Sequence, residues 1–465
     1  MDRGIPTGSD GRPAEDLDEF FFGDQEHNTS ELEAHAFRAR LEHAFSDRFE
    51  ATLNAYFGDH DKRDRNFFVI DYLPRRNIVR MDGFLDTSRR ENLVFSGDLA
   101  GVFSTGRLTH RLLGGVEFTD TDTDQTRYNA YFDTSAADVA RGVRGARTDI
   151  ATFSVMRPID LRGGVGTVAD GRVTSNDFTV DLQDDLRIGI QVFSMFLQDE
   201  LAFSEKVHAI LGARFDHYEI EALDTTHGAL GTKKLEKTTP RLGLVYKPKT
   251  ALSLYASYSE TFSPRRGRLI ANTNDPNNQL DPNTSNNLEA GVKWAPNQDV
   301  NLSVTLFKTE QESPVVSDAD AGTFDVIRTA VEGVEAELKG WLTEPWFVSV
   351  GFSYMDGSQA DSARRPRELP RTMFSAWNYL YLTERLSVGL GVTHQDEVFI
   401  SNRNEVFLPS YTRFDAGAYY EVATWRIQIN IENLADARYF PNATSAHQVT
   451  VGAPLNARLS FRGRF

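Results

Sequence analysis

The chain of 465 residues contains no cysteine. Disulfide frameworks and thiolate metal sites are therefore excluded. It also lacks any apolar run near the ~18 residues of a membrane-crossing helix. Mean hydropathy is −0.42 and 25% of residues are charged. These values exclude a helical membrane protein but not a β-barrel, because only alternate residues of a barrel strand meet lipid. Positive charge is in short supply: 50 Lys and Arg stand against 67 Asp and Glu, for a net charge of −17. Nucleic acid, whose phosphates need clustered cations, is not an expected partner. The opening stretch MDRGIPTGSDGRPAEDLDEFFFG has no apolar core of the kind a secretory signal carries.

Catalytic signatures are missing as well. There is no GxxxxGK[ST], no HExxH and no GxSxG. RGGVGTVADG, residues 162–171, is glycine-rich but has no strand–turn–helix setting, so it reads as a loop tip. Asp120, Asp122 and Asp124 could offer oxygens to a hard cation. They lack the glycine and distal glutamate of a calcium loop. The histidines are scattered. The expectation is a non-enzyme with no metal site and no cofactor.

What the chain does have is period-2 alternation. RFEATLNAYF puts Phe49, Ala51, Leu53, Ala55 and Phe57 on one side, with Arg48, Glu50, Thr52, Asn54 and Tyr56 opposite. DVNLSVTLF sets Val300, Leu302, Val304 and Leu306 against Asn301, Ser303 and Thr305. WRIQINIEN sets Ile427 and Ile429 against Gln428 and Asn430. The last residues, LNARLSFRGRF, alternate in the same way to Phe465. Helical spacing would mix these sets, so each segment reads as a strand with one apolar face. About seventeen such segments occur from residue 33 onward, with no linker to divide a chain too long for one soluble core.

The connections carry more information than the strands. Tight turns are expected at Ser46–Asp47, Ser104–Gly106, Ser204–Lys206, Lys247–Thr250, Pro296–Asp299, Thr343–Pro345, Thr383–Arg385 and Ala423–Thr424. Between consecutive turns lies a long connection, such as 61–90, 122–186 or 223–235. Strict alternation of short and long connections is the pattern of an outer-membrane barrel, with periplasmic turns and longer outer loops. The predicted fold is all-β, an antiparallel transmembrane β-barrel with its apolar sets facing lipid. A segment at 1–32 lies on the outer side and 33–465 forms the wall. An odd strand count is at odds with the even number usual in bacterial barrels.

Several stretches resemble TonB-dependent siderophore receptors. FSMFLQDELAFSEKVHAILGARFDHYE, Phe193 to Glu219, is similar to that family's QDE…aG.RyD hairpin. TTPRLGLVYKPKTALSLYASYSETFSP, Thr238 to Pro264, resembles its PR.GlvYkP…lYasys.sF.P run. LDPNTSNNLEAGVKW, EGVEAELKGWLTEPWFVSVGFSYMDG and ELPRTMFSAWNYL follow in the family's order. INIENLADARYF and the terminal strand are similar to its closing NLfD..Y and final-Phe segments. The resemblance implies a barrel of about twenty-two strands filled by a plug, of which this chain matches strands six onward. The signal peptide, TonB box, plug and first five strands of the family pattern are not seen in it. The expectation is thus an incomplete barrel.

The resemblance further implies a Gram-negative outer-membrane receptor for energy-coupled uptake of a ferric siderophore. The iron chelate is then cargo. Its expected partners are the TonB–ExbB–ExbD energy system acting through the plug, the outer-membrane barrel assembly machinery and the lipid bilayer. The alternatives are a receptor of this family for cobalamin or an oligosaccharide, and a passive porin. Candidate ligand contacts are the loop aromatics Phe67, Phe68, Tyr72, Tyr128, Tyr131 and Phe132 and the loop arginines Arg265 and Arg266, with Arg75, Arg76, Arg364 and Arg365 as further cations. Loop–loop packing and solvated charge are the alternative roles for these residues. Leu459, Phe461 and Phe465 are the candidate assembly signal on the last strand.

Overall fold

Strands of alternating character have two needs: partners for their backbone groups and a suitable solvent for each face. In the computed structural model the first need is met by an antiparallel meander. The structure describes residues 4–23, 28–130, 132–133, 147–148, 151–155, 181–226, 228–264, 282–316, 324–360, 362, 364–401 and 403–463. The long strands are β1 (Thr29–Ser46), β2 (Phe49–Leu73), β3 (Ile78–Thr105), β4 (Leu108–Asn129), β5 (Asp181–Ala202), β6 (Val207–Asp224), β7 (Ala229–Lys249), β8 (Leu252–Ser263) and β9 (Asn283–Trp294). They continue as β10 (Val300–Val316), β11 (Phe324–Thr343), β12 (Trp346–Gln359), β13 (Thr372–Tyr381), β14 (Leu386–Gln395), β15 (Tyr411–Val422), β16 (Trp425–Glu432) and β17 (Asn456–Gly463). Each pairs with the next in sequence, and a short strand at Ala151–Ser154 joins β3, giving one sheet of eighteen strands. Within the described residues, every alternating segment named above falls on one of them.

The faces sort as the alternation predicts. On β2, Leu53 and Phe57 are 55% and 43% exposed, whereas Thr52 is 9% exposed. The register continues the apolar face sideways, with Phe37 opposite Phe57 and Leu41 opposite Leu53. Leu306 on β10, Leu390 on β14 and Leu459 on β17 are exposed on the same outward belt. In water such a surface would be an aggregation site; in a bilayer it is matched by acyl chains. The sheet has two edges among the described residues, since no ladder joins β1 to β17. From Ser30 to Ser46, β1 is exposed throughout.

The short connections lie where tight turns are expected, and polar side chains cap them. Ser204 Oγ accepts from the amides of Lys206 and Val207, both at 3.2 Å. Asn297 Oδ1 accepts from Asp299 and Val300 at 3.0 and 2.9 Å. Thr383 does the same for Arg385 and Leu386.

The opposite ends require a correction. Residues 61–90 do not form a long loop. Strand β2 runs on to Leu73, a 3₁₀ turn at Pro74–Arg76 closes on Asn77 in the left-handed region (φ 50°), and β3 begins at Ile78. Likewise β6 and β7 extend to Asp224 and Ala229, and β4 reaches Asn129, so Asp120, Asp122 and Asp124 are alternate residues of a strand. The asymmetry of the two rims thus resides partly in strand length rather than in loop length. The physical reason is a change of solvent: above the lipid belt the outward face of β2 carries Asp59, Asp61 and Arg63, so hydropathic alternation stops while hydrogen bonding continues.

Candidate functional site

The outer ends of the strands carry a buried apolar cluster assembled from distant parts of the chain. Ile5, Leu17 and Phe22 come from the segment before β1. Phe67, Val69, Tyr72, Val79 and Met81 come from the β2–β3 hairpin. Val398, Ile400 and Leu408 come from the β14–β15 connection, and Phe440 and Val449 from the β16–β17 connection. Phe67, Val79, Met81 and Val449 are fully buried. Asn28 extends the edge of β1 with its side chain: Nδ2 donates to the Phe67 carbonyl at 3.1 Å and Oδ1 accepts from the Phe67 amide at 3.0 Å. This satisfies backbone groups that would otherwise be buried without partners.

The β16–β17 connection is pinned at its base by Asn433, which is fully buried and has φ 56°. Its Nδ2 donates to the carbonyls of Ala437 and Ala453 at 2.8 and 3.0 Å. Its Oδ1 accepts from the Ala437 amide at 2.9 Å. Asp436 accepts from the Leu455 amide at 2.8 Å. The NLAD stretch therefore ties both ends of the loop together. Beside it Arg413 bridges Glu432 (2.9 Å), Asp415 (3.1 Å) and the Tyr439 hydroxyl (3.1 Å). Further out, His447 sits in the short hairpin of Ala443–Ser445 and Gln448–Val449. Burial holds its imidazole below the ordinary histidine value, with Asp71 pulling weakly the other way. Its Nδ1 has no hydrogen-bond partner among the described residues.

The inward face of the sheet is polar and internally paired. Arg214 reaches Asp216 at 2.8 Å and Glu117 at 3.1 Å, and Ser194 donates to Asp216 at 2.6 Å. Arg111 and His208 share Glu200 at 2.7 and 3.0 Å. Tyr255 meets Thr305 at 2.7 Å. Among the described residues no group of His, Asp and Glu is arranged to hold a metal ion.

The candidate ligand residues fall into three sets. Phe67 and Tyr72 belong to the buried cluster, 0% and 7% exposed. Phe68 is half-buried against Phe84, ring centroids 5.9 Å apart, and Tyr128 packs on the edge of the cluster. Tyr131, Arg265 and Arg266 lie outside the described residues. So does the side chain of Phe132, whose backbone forms the short strand Phe132–Asp133. Of the other cations, Arg75 and Arg76 are exposed at the tip of the β2–β3 hairpin. Arg365 is held by Asn404, whose Oδ1 accepts from the Arg365 amide at 2.8 Å. On the last strand Leu459 and Phe461 face outward, 57% and 63% exposed, while Phe465 lies outside the described residues. Sequence reasoning did not find the role of segment 4–23, whose cluster residues follow no period. Its exposed aromatics Phe20 and Phe21 are visible as a run in EFFFG.

An all-β meander with an apolar outward belt, a polar inward face and projecting outer ends defines the class as an outer-membrane barrel. The family described as TonB dependent receptor-like, beta-barrel matches residues 2–434. The chain belongs to that family, whose members are proteins of the Gram-negative outer membrane. The probable TonB-dependent siderophore receptor PiuA of Acinetobacter baumannii is 26% identical over 492 residues, covering 98% of this chain and 64% of that protein. The metal-pseudopaline receptor CntO of Pseudomonas aeruginosa is 26% identical over 470 residues, covering 95% of this chain and 60% of that protein. The crystal structure of PiuA superposes with a TM-score of 0.82 at 25% identity, over 99% of this chain and 69% of that chain. The chain spans between 34% and 64% of the length of curated relatives it matches.

Proposed function

We propose that this chain forms the wall, at 33–465, of a receptor for energy-coupled uptake of a ferric siderophore, with 1–32 as an outer segment. The observation that carries this reading is the likeness to PiuA, named as a siderophore receptor, over 98% of the chain. In this reading the wall belongs to a plugged barrel of about twenty-two strands. The plug lies against the polar inward face and takes its pull from the TonB–ExbB–ExbD system. The assembly machinery reads the last strand through Leu459 and Phe461. The protein is not an enzyme and has no resident cofactor; iron arrives as cargo. Tyr128 is a cargo contact on the side of the cluster, with Phe67 and Tyr72 as the floor beneath it, and Phe68 is a cargo contact on the opposite face of β2. The family match replaces the passive-porin reading. A second reading, uptake of another metal chelate, is favoured by the likeness to a metal-pseudopaline receptor.

The test is uptake of radioactive metal by cells that produce the receptor, compared with cells from which its gene is deleted. A panel of hydroxamate, catecholate and carboxylate chelates of iron is offered, with and without a functional TonB. The expected result is loss of TonB-dependent uptake of one ferric chelate on deletion. Unchanged uptake of every iron chelate, with loss of another metal instead, would support the second reading and overturn the first.

A further inference from the structure

Residues 4–23 contain one regular element, a 3₁₀ turn at Glu15–Leu17, yet they are bonded at three places. At the β16–β17 connection, the Ile5 amide donates to the Val449 carbonyl at 2.8 Å and the Val449 amide returns the bond at 2.9 Å. Gly4 has φ 88°, and a Cβ there would stand 1.9 Å from the Val449 carbonyl oxygen. At the β14–β15 connection, the Phe407 amide donates to the Gly11 carbonyl at 3.0 Å, and the Arg12 guanidinium lies 4.9 Å above the Phe407 ring. Gly11 has φ 76° with the Glu405 carbonyl against it, so glycine is required there too. Third, Arg438 holds Asp18 at 2.8 Å and donates to the Glu15 carbonyl at 3.3 Å. On its other side the segment seats Leu17 and Phe22 in the cluster with Phe67 and Met81.

The parts so joined come from opposite ends of the strand order. The β2–β3 hairpin lies beside one edge of the sheet, and the β14–β15 and β16–β17 connections lie beside the other. The two sides meet directly, Gln448 Nε2 donating to the Val69 carbonyl at 3.5 Å, and the segment ties them together over that contact at the outer rim. It does so through an isolated bridge at Val449, single backbone bonds to Ala446 and Phe407, a part-exposed ion pair and the seats of Ile5, Leu17 and Phe22 in the cluster, not through a ladder. Separate contacts of this kind can open locally, whereas a ladder such as β2–β3 opens only with the fold. We propose that segment 4–23 is a releasable strap and that passage of cargo requires it to unfasten at Val449. This rests on the uptake reading above.

The absence of cysteine makes the test clean. Ile5 and Val449 are a hydrogen-bonded antiparallel pair, a spacing of about 5.5 Å between Cα atoms that a disulfide fits. In producing cells the Ile5→Cys/Val449→Cys receptor should bind its ferric chelate. When oxidised it should take the chelate up about tenfold more slowly or worse, and a reductant should restore the rate. Uptake that is equal in the oxidised and reduced states would overturn the proposal, and so would failure of the disulfide to form. A second arm needs no cargo. Val449→Cys alone should react slowly with an impermeant maleimide, and about fivefold or more faster when Arg438→Ala is added. Equal rates would overturn the strap. Lack of any iron uptake by the unmodified receptor would instead remove the uptake reading and leave the labelling arm to decide the strap.

Discussion

One face of one strand meets three solvents. On β2 the residues Leu53, Phe57, Asp61 and Phe67 share a side, since successive side chains alternate and the pairing with β3 is unbroken as far as Val69. Leu53 is 55% exposed and Phe57 43%, both on the lipid belt. Asp61 is exposed above the belt. Phe67 is completely buried under other parts of the chain. The belt and the outer cluster are therefore two apolar populations with opposite burial. The first is stabilised by a solvent as apolar as itself, the second by packing against protein. The difference can be broken by truncating a residue in each. Phe67→Ala should cost about 3–5 kcal/mol, because rigid neighbours leave a cavity. Leu53→Ala should cost about 2 kcal/mol, the transfer term alone, because acyl chains fill the space it leaves and no cavity term is added. Urea unfolding of the protein folded into lipid vesicles measures both, and similar costs would refute the distinction.

The next largest effect concerns charge on the belt. Arginine at Val304 or Ile429 should cost roughly 2–4 kcal/mol near mid-bilayer, while arginine at Asn301 or Gln428 on the inward face should cost far less. Equal costs on the two faces would show the register to be wrong. A smaller effect separates the outer cluster from the loop base that supports it. Asn433→Ala removes three buried hydrogen bonds and leaves carbonyls unpaired, at a cost of about 1–3 kcal/mol. Hydrogen exchange should rise over residues 434–455 and remain unchanged in β2 below Phe57. Uniform protection after the change would assign Asn433 no part in holding the loop.

What the sequence made legible follows the same boundary. Segments such as 48–60 and 299–312 were readable because lipid demands an apolar residue at every second position. The reading stopped at the edge of the bilayer, where Asp59 and Asp61 replace Phe57, although β2 continues to Leu73. Residues 61–90 then look like a loop for lack of period, not for lack of strand. The outer cluster was illegible for a different reason. Ile5, Phe67, Leu408 and Val449 lie 41 to 444 residues apart and share no spacing, so only the fold brings them together. Phe67 and Tyr72 are aromatic in an outer region, which suggested a ligand contact as readily as packing, and composition alone does not separate the two. The NLAD stretch stands out by its resemblance, but the three side-chain bonds of Asn433 arise only in the folded chain.

The smallest expected effect sharpens the comparison by pH, since the outer cluster contains a buried titratable group and the belt beside it on β2, at Leu53 and Phe57, has none. His447 belongs to the β16–β17 connection and lies near Asp71 of β2, and burial disfavours its charged form. The charged group facing it is Asp71, which is itself held by Arg80 at 3.2 Å, so little of its field is free to favour the imidazolium. In the opened loop His447 titrates near its ordinary value of about 6.5. Below that pH the opened form takes up a proton that the closed form refuses, so closure weakens as pH falls from about 6.5 toward the lowered value in the closed form. Above about pH 7 both forms are neutral and the contribution is complete. Because the thiolate that maleimide attacks itself falls about a hundredfold between pH 7.5 and pH 5.5, the rate is read relative to a fully exposed cysteine in the same chain, and on that scale labelling of Val449→Cys should accelerate over this range. His447→Gln, which keeps a polar side chain but cannot titrate, should flatten that dependence. The belt should show no matching change, because cysteine placed at Leu53 reports lipid contact rather than closure. A pH response that survives His447→Gln would assign the switch to another group and leave His447 a packing residue.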